Sequence, residues 1–142
     1  NRYKSGSINT HWGGSVDAEL VKTSGDIWNY FIQNDIDLGN NPVIAIDEAF
    51  MLAGISVILP KLYKAGATIV VSTLQLSSDG SPFQEVAAFM PYSTKIEVCP
   101  AVCSVCGADA FFTKKIAGRP DHDIEVGGAE MYQPMCLEHF NS

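Results

Sequence analysis

The sequence predicts an α/β domain, a parallel sheet with helices packed on it, followed by a small zinc-binding module. Three observations carry that expectation. Two short runs, Val43-Ile44-Ala45-Ile46 and Ala67-Thr68-Ile69-Val70-Val71-Ser72-Thr73, are apolar without alternation, as strands buried on both faces of a parallel sheet are. A helical pattern lies between them, so strand, helix and strand form a right-handed crossover. Cys103 and Cys106 are then matched by Cys136 and His139 at the same spacing, with 29 residues between the pairs.

In chain order, Asn1 to Gly14 is polar and glycine-bearing and reads as a loop; without an initiator Met it is expected to begin inside a longer protein. From Val16 to about Gln33 apolar residues recur at helical spacings, interrupted at Ser24-Gly25, which predicts two short helices with Asp26 capping the second. Phe50 to Ala65 reads as a helix perturbed at Pro60 and closed by Gly66. Ser77 to Pro82 is a turn cluster, Phe83 to Met90 a short helix stopped by Pro91, and Thr94 to Cys99 an alternating strand. Ala110 to Thr113 and Ile124-Glu125-Val126 are expected to form a small hairpin, with Gly127-Gly128 turning the chain toward Tyr132.

A chain of 142 residues is long enough to bury an ordinary core. The net charge of −7 argues against a nucleic-acid binder, which would carry a basic stripe. The segment between Cys103 and His139 is itself acidic: Lys114, Lys115 and Arg119 stand against Asp109, Asp121, Asp123, Glu125, Glu130 and Glu138. No apolar run is long enough to span a membrane, and no internal repeat is present.

Zinc takes thiolate sulfur and neutral imidazole nitrogen in tetrahedral geometry, and the paired CxxC and CxxH supply four such ligands: Cys103, Cys106, Cys136 and His139. A closed site of this kind is structural and would hold the loop from Gly107 to Met135 in shape. A CxxC alone could be a redox pair, and Cys99 is an alternative to His139 as fourth ligand. Its alternation with Ile96 and Val98 suits a buried, inert thiol instead. A disulfide framework fits less well, because the chain needs no staple and shows no secretory segment.

The first strand ends in Asp47-Glu48, at the carboxyl edge where ligands of open α/β sheets bind. An apolar strand ending in two acids has the form of a Walker B element, the first acid helping to hold Mg²⁺ and the second orienting or deprotonating a nucleophile. The same pair would also be favoured simply by the dipole of a following helix. The GxxxxGK[ST] phosphate loop that such an element serves is absent from the 142 residues, so either no nucleotide is bound or the loop is expected upstream of Asn1.

Together these features resemble the zinc-lasso thymidine kinases over most of the chain. Ile46-Asp47-Glu48-Ala49 is similar to that family's catalytic strand end, Arg2-Tyr3 with Thr10-His11 to the segment before it, and Pro82-Phe83 to the end of its substrate loop. The most specific match runs from Cys103-Ser104-Val105-Cys106 through Ala110-Phe111-Phe112-Thr113-Lys114-Lys115 and Val126-Gly127-Gly128-Ala129-Glu130-Met131-Tyr132 to Cys136-Leu137-Glu138-His139. Phe50 stands where the family usually has Gln, and Thr73 to Gly80 lacks its usual Asp after Leu.

The resemblance implies a P-loop-kinase-like core over residues 1–98 and a zinc lasso over 99–142. It implies transfer of the γ-phosphoryl of ATP, with Mg²⁺, to the 5′-hydroxyl of thymidine or deoxyuridine, in a cytoplasmic enzyme of nucleoside salvage for DNA synthesis that assembles as a homotetramer. Glu48 would be the base, Asp47 a Mg²⁺ ligand, and Arg2 would face the phosphates. Thr113, Glu125 and Val126 would meet the base, Gly127 or Gly128 with Tyr132 the sugar, and Phe83 would close the substrate loop. Without a phosphate loop, residues 1–142 alone are expected to be inactive. The competing expectation is a non-catalytic, zinc-stabilised module that binds a nucleoside or a partner.

Overall fold

The computed structural model describes residues 6–9, 13–118 and 128–142. An antiparallel pair, β1 (Ser7–Asn9) and β2 (Ser15–Asp17), opens them, with Ile8 opposite Val16. The helix expected around Val16 to Val21 is therefore replaced by a hairpin strand. Val16 and Leu20 are exposed, and of the three apolar residues of that spacing it is Val21 that packs on the core. Helix α1 (Ser24–Gln33) then starts on a capping box: Thr23 Oγ1 accepts from the Asp26 N–H while the Asp26 carboxylate accepts from the Thr23 N–H at 2.8 Å. Thr23 is thus the cap, and Asp26 completes the box from the first turn.

Strands β3 (Val43–Ile46) and β4 (Thr68–Val71) pair in parallel, Val43 opposite Thr68 and Ile46 opposite Val71, with α2 (Ile55–Lys64) as their crossover. The architecture is mixed α/β with a two-stranded parallel sheet. Ile55, Leu59 and Leu62, one stripe of α2, are buried against Ile46, Ala49, Leu52, Val86 and Phe89. The helix starts later than the apolar pattern suggests, because Ala49–Met51 is a 3₁₀ turn between two left-handed residues, Glu48 and Gly54. At its end the Gly66 N–H bonds to Tyr63 O and the Ala67 N–H to Leu62 O, a Schellman stop. Gly66 is required there: φ is +111°, and a Cβ would meet Leu38 O at 2.9 Å.

Burial of both sheet faces is not observed among the described residues. Ile44, Ile46, Ile69 and Val71 join the core, whereas Val43 is 71% and Val70 58% exposed on the alternate face. Helix α3 (Gln84–Phe89) packs on α2 and gives way to a 3₁₀ turn, Met90–Tyr92, at Pro91.

Thr94 to Cys99 forms no strand. Ile96, Val98 and Cys99 are exposed, since the alternating segment has no partner ladder among the described residues. The C-terminal module contains β5 (Ala101–Val102) paired with β6 (Asp109–Ala110), β7 (Phe112–Lys115) paired with β8 (Tyr132–Met135), and α4 (Leu137–Asn141). Ile124, Glu125 and Val126 lie outside the described residues, and β8 is the partner that β7 takes. Among the described residues no helix is long and apolar enough to cross a membrane.

Candidate functional site

The two CxxC/H pairs converge. The Cys103, Cys106 and Cys136 sulfurs and a His139 ring nitrogen all lie within 4.8 Å of one another. Two short hairpins and α4 bring them there. Cys103 follows β5, the turn Ser104 to Gly107 returns Cys106 to it, and Cys136 sits at the start of α4 with His139 one turn on. Cys106 Sγ to Cys136 Sγ is 3.8 Å, Cys103 Sγ to His139 Nδ1 3.7 Å and Cys136 Sγ to His139 Nδ1 3.2 Å. A tetrahedron with Zn–S near 2.3 Å and Zn–N near 2.0 Å has edges of about 3.8 Å between sulfurs and about 3.5 Å from sulfur to nitrogen. The donor set therefore fits a structural zinc site, with His139 presenting Nδ1. Cys99 is exposed and outside the cluster, which leaves His139 as the fourth ligand.

Local dipoles prepare these ligands. Backbone N–H groups of Cys136, Cys106 and Val105 hold the Cys103 thiol down at about 6. The His139 N–H lowers Cys136, and the Cys136 sulfur in turn raises the His139 imidazole. For Cys106 the Ala108 N–H pulls downward, but desolvation and the neighbouring sulfurs push the thiol up.

A second group stands at the carboxyl end of β3. Asp47 Oδ1 accepts from the Glu48 N–H at 3.0 Å and from the Ser72 hydroxyl, which fixes the carboxylate to the end of β4. Glu48 is held at φ 54°, ψ 42°, a left-handed conformation costly for a non-glycine residue. The Ala49 N–H bonds to Ser72 O and the Phe50 N–H to Thr73 Oγ1, so the turn after Glu48 is stitched to β4. The Phe50 ring packs on Phe83 with centroids 4.8 Å apart. Phe50 thus joins the half-buried wall beside the carboxylates.

Of the remaining candidates, Thr113 and Tyr132 lie on the β7–β8 hairpin. Thr113 faces Pro134 and Lys115 faces Tyr132, so Thr113 and Tyr132 share one face, opposite the Phe112 and Met135 face that packs on the module's core. Gly128 closes the preceding turn: its carbonyl accepts from Met131 and Tyr132 N–H groups, and its N–H donates to Glu130 at 2.8 Å. Arg2, Glu125, Val126 and Gly127 lie outside the described residues.

Sequence reasoning did not single out Ser72, Thr73, Glu85 or Phe140. Two hydroxyls ending an otherwise apolar strand were a visible signal for the first two. The carboxylates with their aromatic wall and the hairpin face with its metal cluster form two groups on one chain, and a family model described as thymidine kinase matches residues 1–140; the chain belongs to the thymidine kinase family.

Proposed function

We propose that this chain carries the acceptor side of a thymidine kinase, which transfers the γ-phosphoryl of ATP to the 5′-hydroxyl of thymidine or deoxyuridine. The observation that carries the reading is Glu48, held in a left-handed conformation immediately after a fixed Asp47 at the end of β3. Strain of this kind persists where the surroundings over-determine it, and functional carboxylates are such places.

In this mechanism Glu48 accepts the proton of the 5′-hydroxyl as its oxygen bonds to the γ-phosphorus, and the bond to the bridging oxygen breaks with its electron pair leaving on ADP. Asp47, an oxygen donor already oriented by Ser72, suits Mg²⁺, which when bound neutralises phosphate charge. Arg2 faces the phosphates. Thr113 with Glu125 and Val126 meets the base, Gly127 or Gly128 and Tyr132 the sugar, and Phe83 closes the substrate loop. The kinase core over residues 1–98, the zinc lasso over 99–142, a cytoplasmic homotetramer and independence from nucleic acid belong to the same reading.

A second reading, a zinc-stabilised nucleoside-binding module without chemistry, is favoured by one observation: the 142 residues hold no GxxxxGK[ST]. Calorimetry with thymidine, and a phosphorylation assay with Mg²⁺ and ATP on a form of the chain completed with a GxxxxGK[ST] phosphate loop, separate the two. Thymidine binding with turnover that Glu48→Gln lowers by about 10² to 10⁴ supports the kinase. Binding without turnover supports the module, and no thymidine binding defeats both.

A further inference from the structure

The segment Gln75 to Phe83 is a closed, cross-braced loop. At its base the Phe83 N–H bonds to Gln75 O at 3.0 Å, and Leu76 bridges Pro82. At its tip the Ser77 N–H bonds to Ser81 O at 2.8 Å and the Gly80 N–H to Ser77 O at 3.0 Å. Inside, the Asp79 carboxylate accepts from the Ser77 hydroxyl, from the Ser81 N–H at 2.9 Å and from Ser81 Oγ at 3.1 Å. Those bonds hold the Asp79 carboxyl below the usual range, the Ser77 hydroxyl contributing most. A loop braced at tip, middle and base moves as one piece rather than residue by residue.

Both ends of this piece rest on something else. Its base carries Phe83, whose ring packs on Phe50 two residues beyond Glu48. Its tip, Gly80, lies against the edge of the Phe140 ring: a Cβ at Gly80 would stand 3.1 Å from Phe140 Cε1 and 3.3 Å from Cζ. Gly80 also sits at φ +85°, so two independent constraints require glycine there. Phe140 is not a free surface ring. Its other side is stacked on Phe112, centroids 4.8 Å apart and planes 24° from parallel, and it packs on the cluster of Cys103, Ala110 and Met135.

Phe140 also directly follows the metal ligand His139, and its N–H bonds to the carbonyl of the ligand Cys136 at 2.9 Å. The ring's position is therefore set by the same turn of α4 that closes the cluster. The geometry points to Phe140 as a positioning residue, the joint through which the metal cluster seats the Gln75 to Phe83 loop and so sets the aromatic wall beside Glu48. Metal ligation orients α4, α4 orients Phe140, and the braced loop carries that placement to Phe83. The contact is apolar ring edge against glycine, with no charge to steer it, so it depends on shape alone.

The test uses the zinc-loaded chain and Phe140→Leu, which keeps apolar volume against Cys103, Ala110 and Met135 while withdrawing the ring atoms that meet Gly80. Metal analysis first establishes that the variant retains zinc; Phe140→Met is the substitute if it does not. Hydrogen exchange then reads the Gly80 and Phe83 amides, both bonded inside the loop. The joint predicts exchange about tenfold faster or more at both amides with zinc still bound. The same acceleration is expected in the unsubstituted protein after chelation. Unchanged exchange in the zinc-bound variant overturns the inference. The positioning role of Phe140 rests on the proposed nucleoside site, so thymidine calorimetry on the same variant forms a separate arm. Weaker binding together with the faster loop supports both. A faster loop with unchanged thymidine binding leaves the joint standing and removes Phe83 from the nucleoside site.

Discussion

Glu85, in α3, caps α2 from 31 residues away: its carboxylate oxygens accept from the Gly54 N–H at 2.8 Å and the Ser56 N–H at 2.9 Å. Gly54, the residue at the start of α2, has no side chain to do this, and its left-handed φ of 78° directs the N–H outward. A helix N-terminus that lacks its own cap is satisfied here by the neighbouring helix.

Glu85→Ala is expected to cost about 1 to 2 kcal/mol, in the range of lost helix caps, here with partly buried donors. The Ser56 hydroxyl and N–H, and then the Gly54 N–H, lower the Glu85 carboxyl from 4.5. A depressed carboxylate contributes stability that is complete above its unfolded value and lost as pH falls through the lower folded value. The stability difference between wild type and Glu85→Ala, measured by denaturant unfolding, should thus be constant near neutrality and shrink below pH 4.5. A difference that does not depend on pH there would show that packing, not the cap, is what Glu85 contributes.

Glu48 invites the opposite kind of substitution. Asn tolerates the left-handed region at less cost, and a strained non-glycine residue stores about 1 to 2 kcal/mol. Glu48→Asn is expected to leave the fold as stable as wild type or up to about 1 kcal/mol more stable, while removing the proposed base. Unfolding curves check the first half, and thymidine phosphorylation by the form completed with a phosphate loop checks the second. A variant clearly less stable than wild type would assign Glu48 a structural role.

What could be read from residues alone, and what could not, follows from the range of the interactions. The strands Val43–Ile46 and Thr68–Val71, and the helix between them, were legible because an apolar run and a helical stripe are local signals. The metal cluster was legible because CxxC and CxxH fix ligand spacing before any tertiary fold forms. Val16 to Val21 and Thr94 to Cys99 misled for one reason: a period shows what a segment could bury, but Val16, Leu20, Ile96 and Val98 stay exposed, and of the first segment's three apolar residues it is Val21 that packs on the core. The Glu85 cap, the Ser72 bond to Asp47 and the seat of Gly80 on Phe140 were hidden, since each joins residues tens of positions apart with no repeating pattern.

Zinc removal should act unevenly. Among the described residues, Cys103, Ala110 and Met135 are the ones buried beneath the metal cluster, and Cys103 is itself a ligand, whereas ten buried residues hold the sheet and its helices. Structural zinc contributes about 10 to 16 kcal/mol of apparent binding energy in small peptides, far more than three buried side chains supply. Chelation is therefore expected to release amide protection in β5 to β8 and α4 first, while β3, β4 and α2 keep theirs. Purified protein should hold one zinc, Cys99→Ser should keep it, and His139→Ala should weaken it strongly. A metal-free protein with a protected β7–β8 hairpin would defeat this assignment.

Ser72 offers a finer probe of Asp47. Its hydroxyl donates to Asp47 Oδ1, while its backbone bonds to Ile46 and Ala49 through groups that a side-chain change leaves in place. Ser72→Ala thus removes one hydrogen bond at an exposed carboxylate, where water can substitute, and the expected loss of stability is within about 1 kcal/mol. The effect on placement should be larger than the effect on stability. Asp47 keeps the bond from the Glu48 N–H but loses the cross-strand one, so its carboxylate can rotate away from the edge that it shares with β4. If Asp47 holds Mg²⁺ beside the phosphates, Ser72→Ala in the form completed with a phosphate loop should raise the Mg²⁺ concentration needed for half-maximal phosphorylation several-fold, with thymidine KM unchanged. Ser72→Thr, which keeps the hydroxyl, should restore it. Equal magnesium dependence in Ser72→Ala and wild type would remove Asp47 from metal binding and leave it as the local brace that holds Glu48 in its turn.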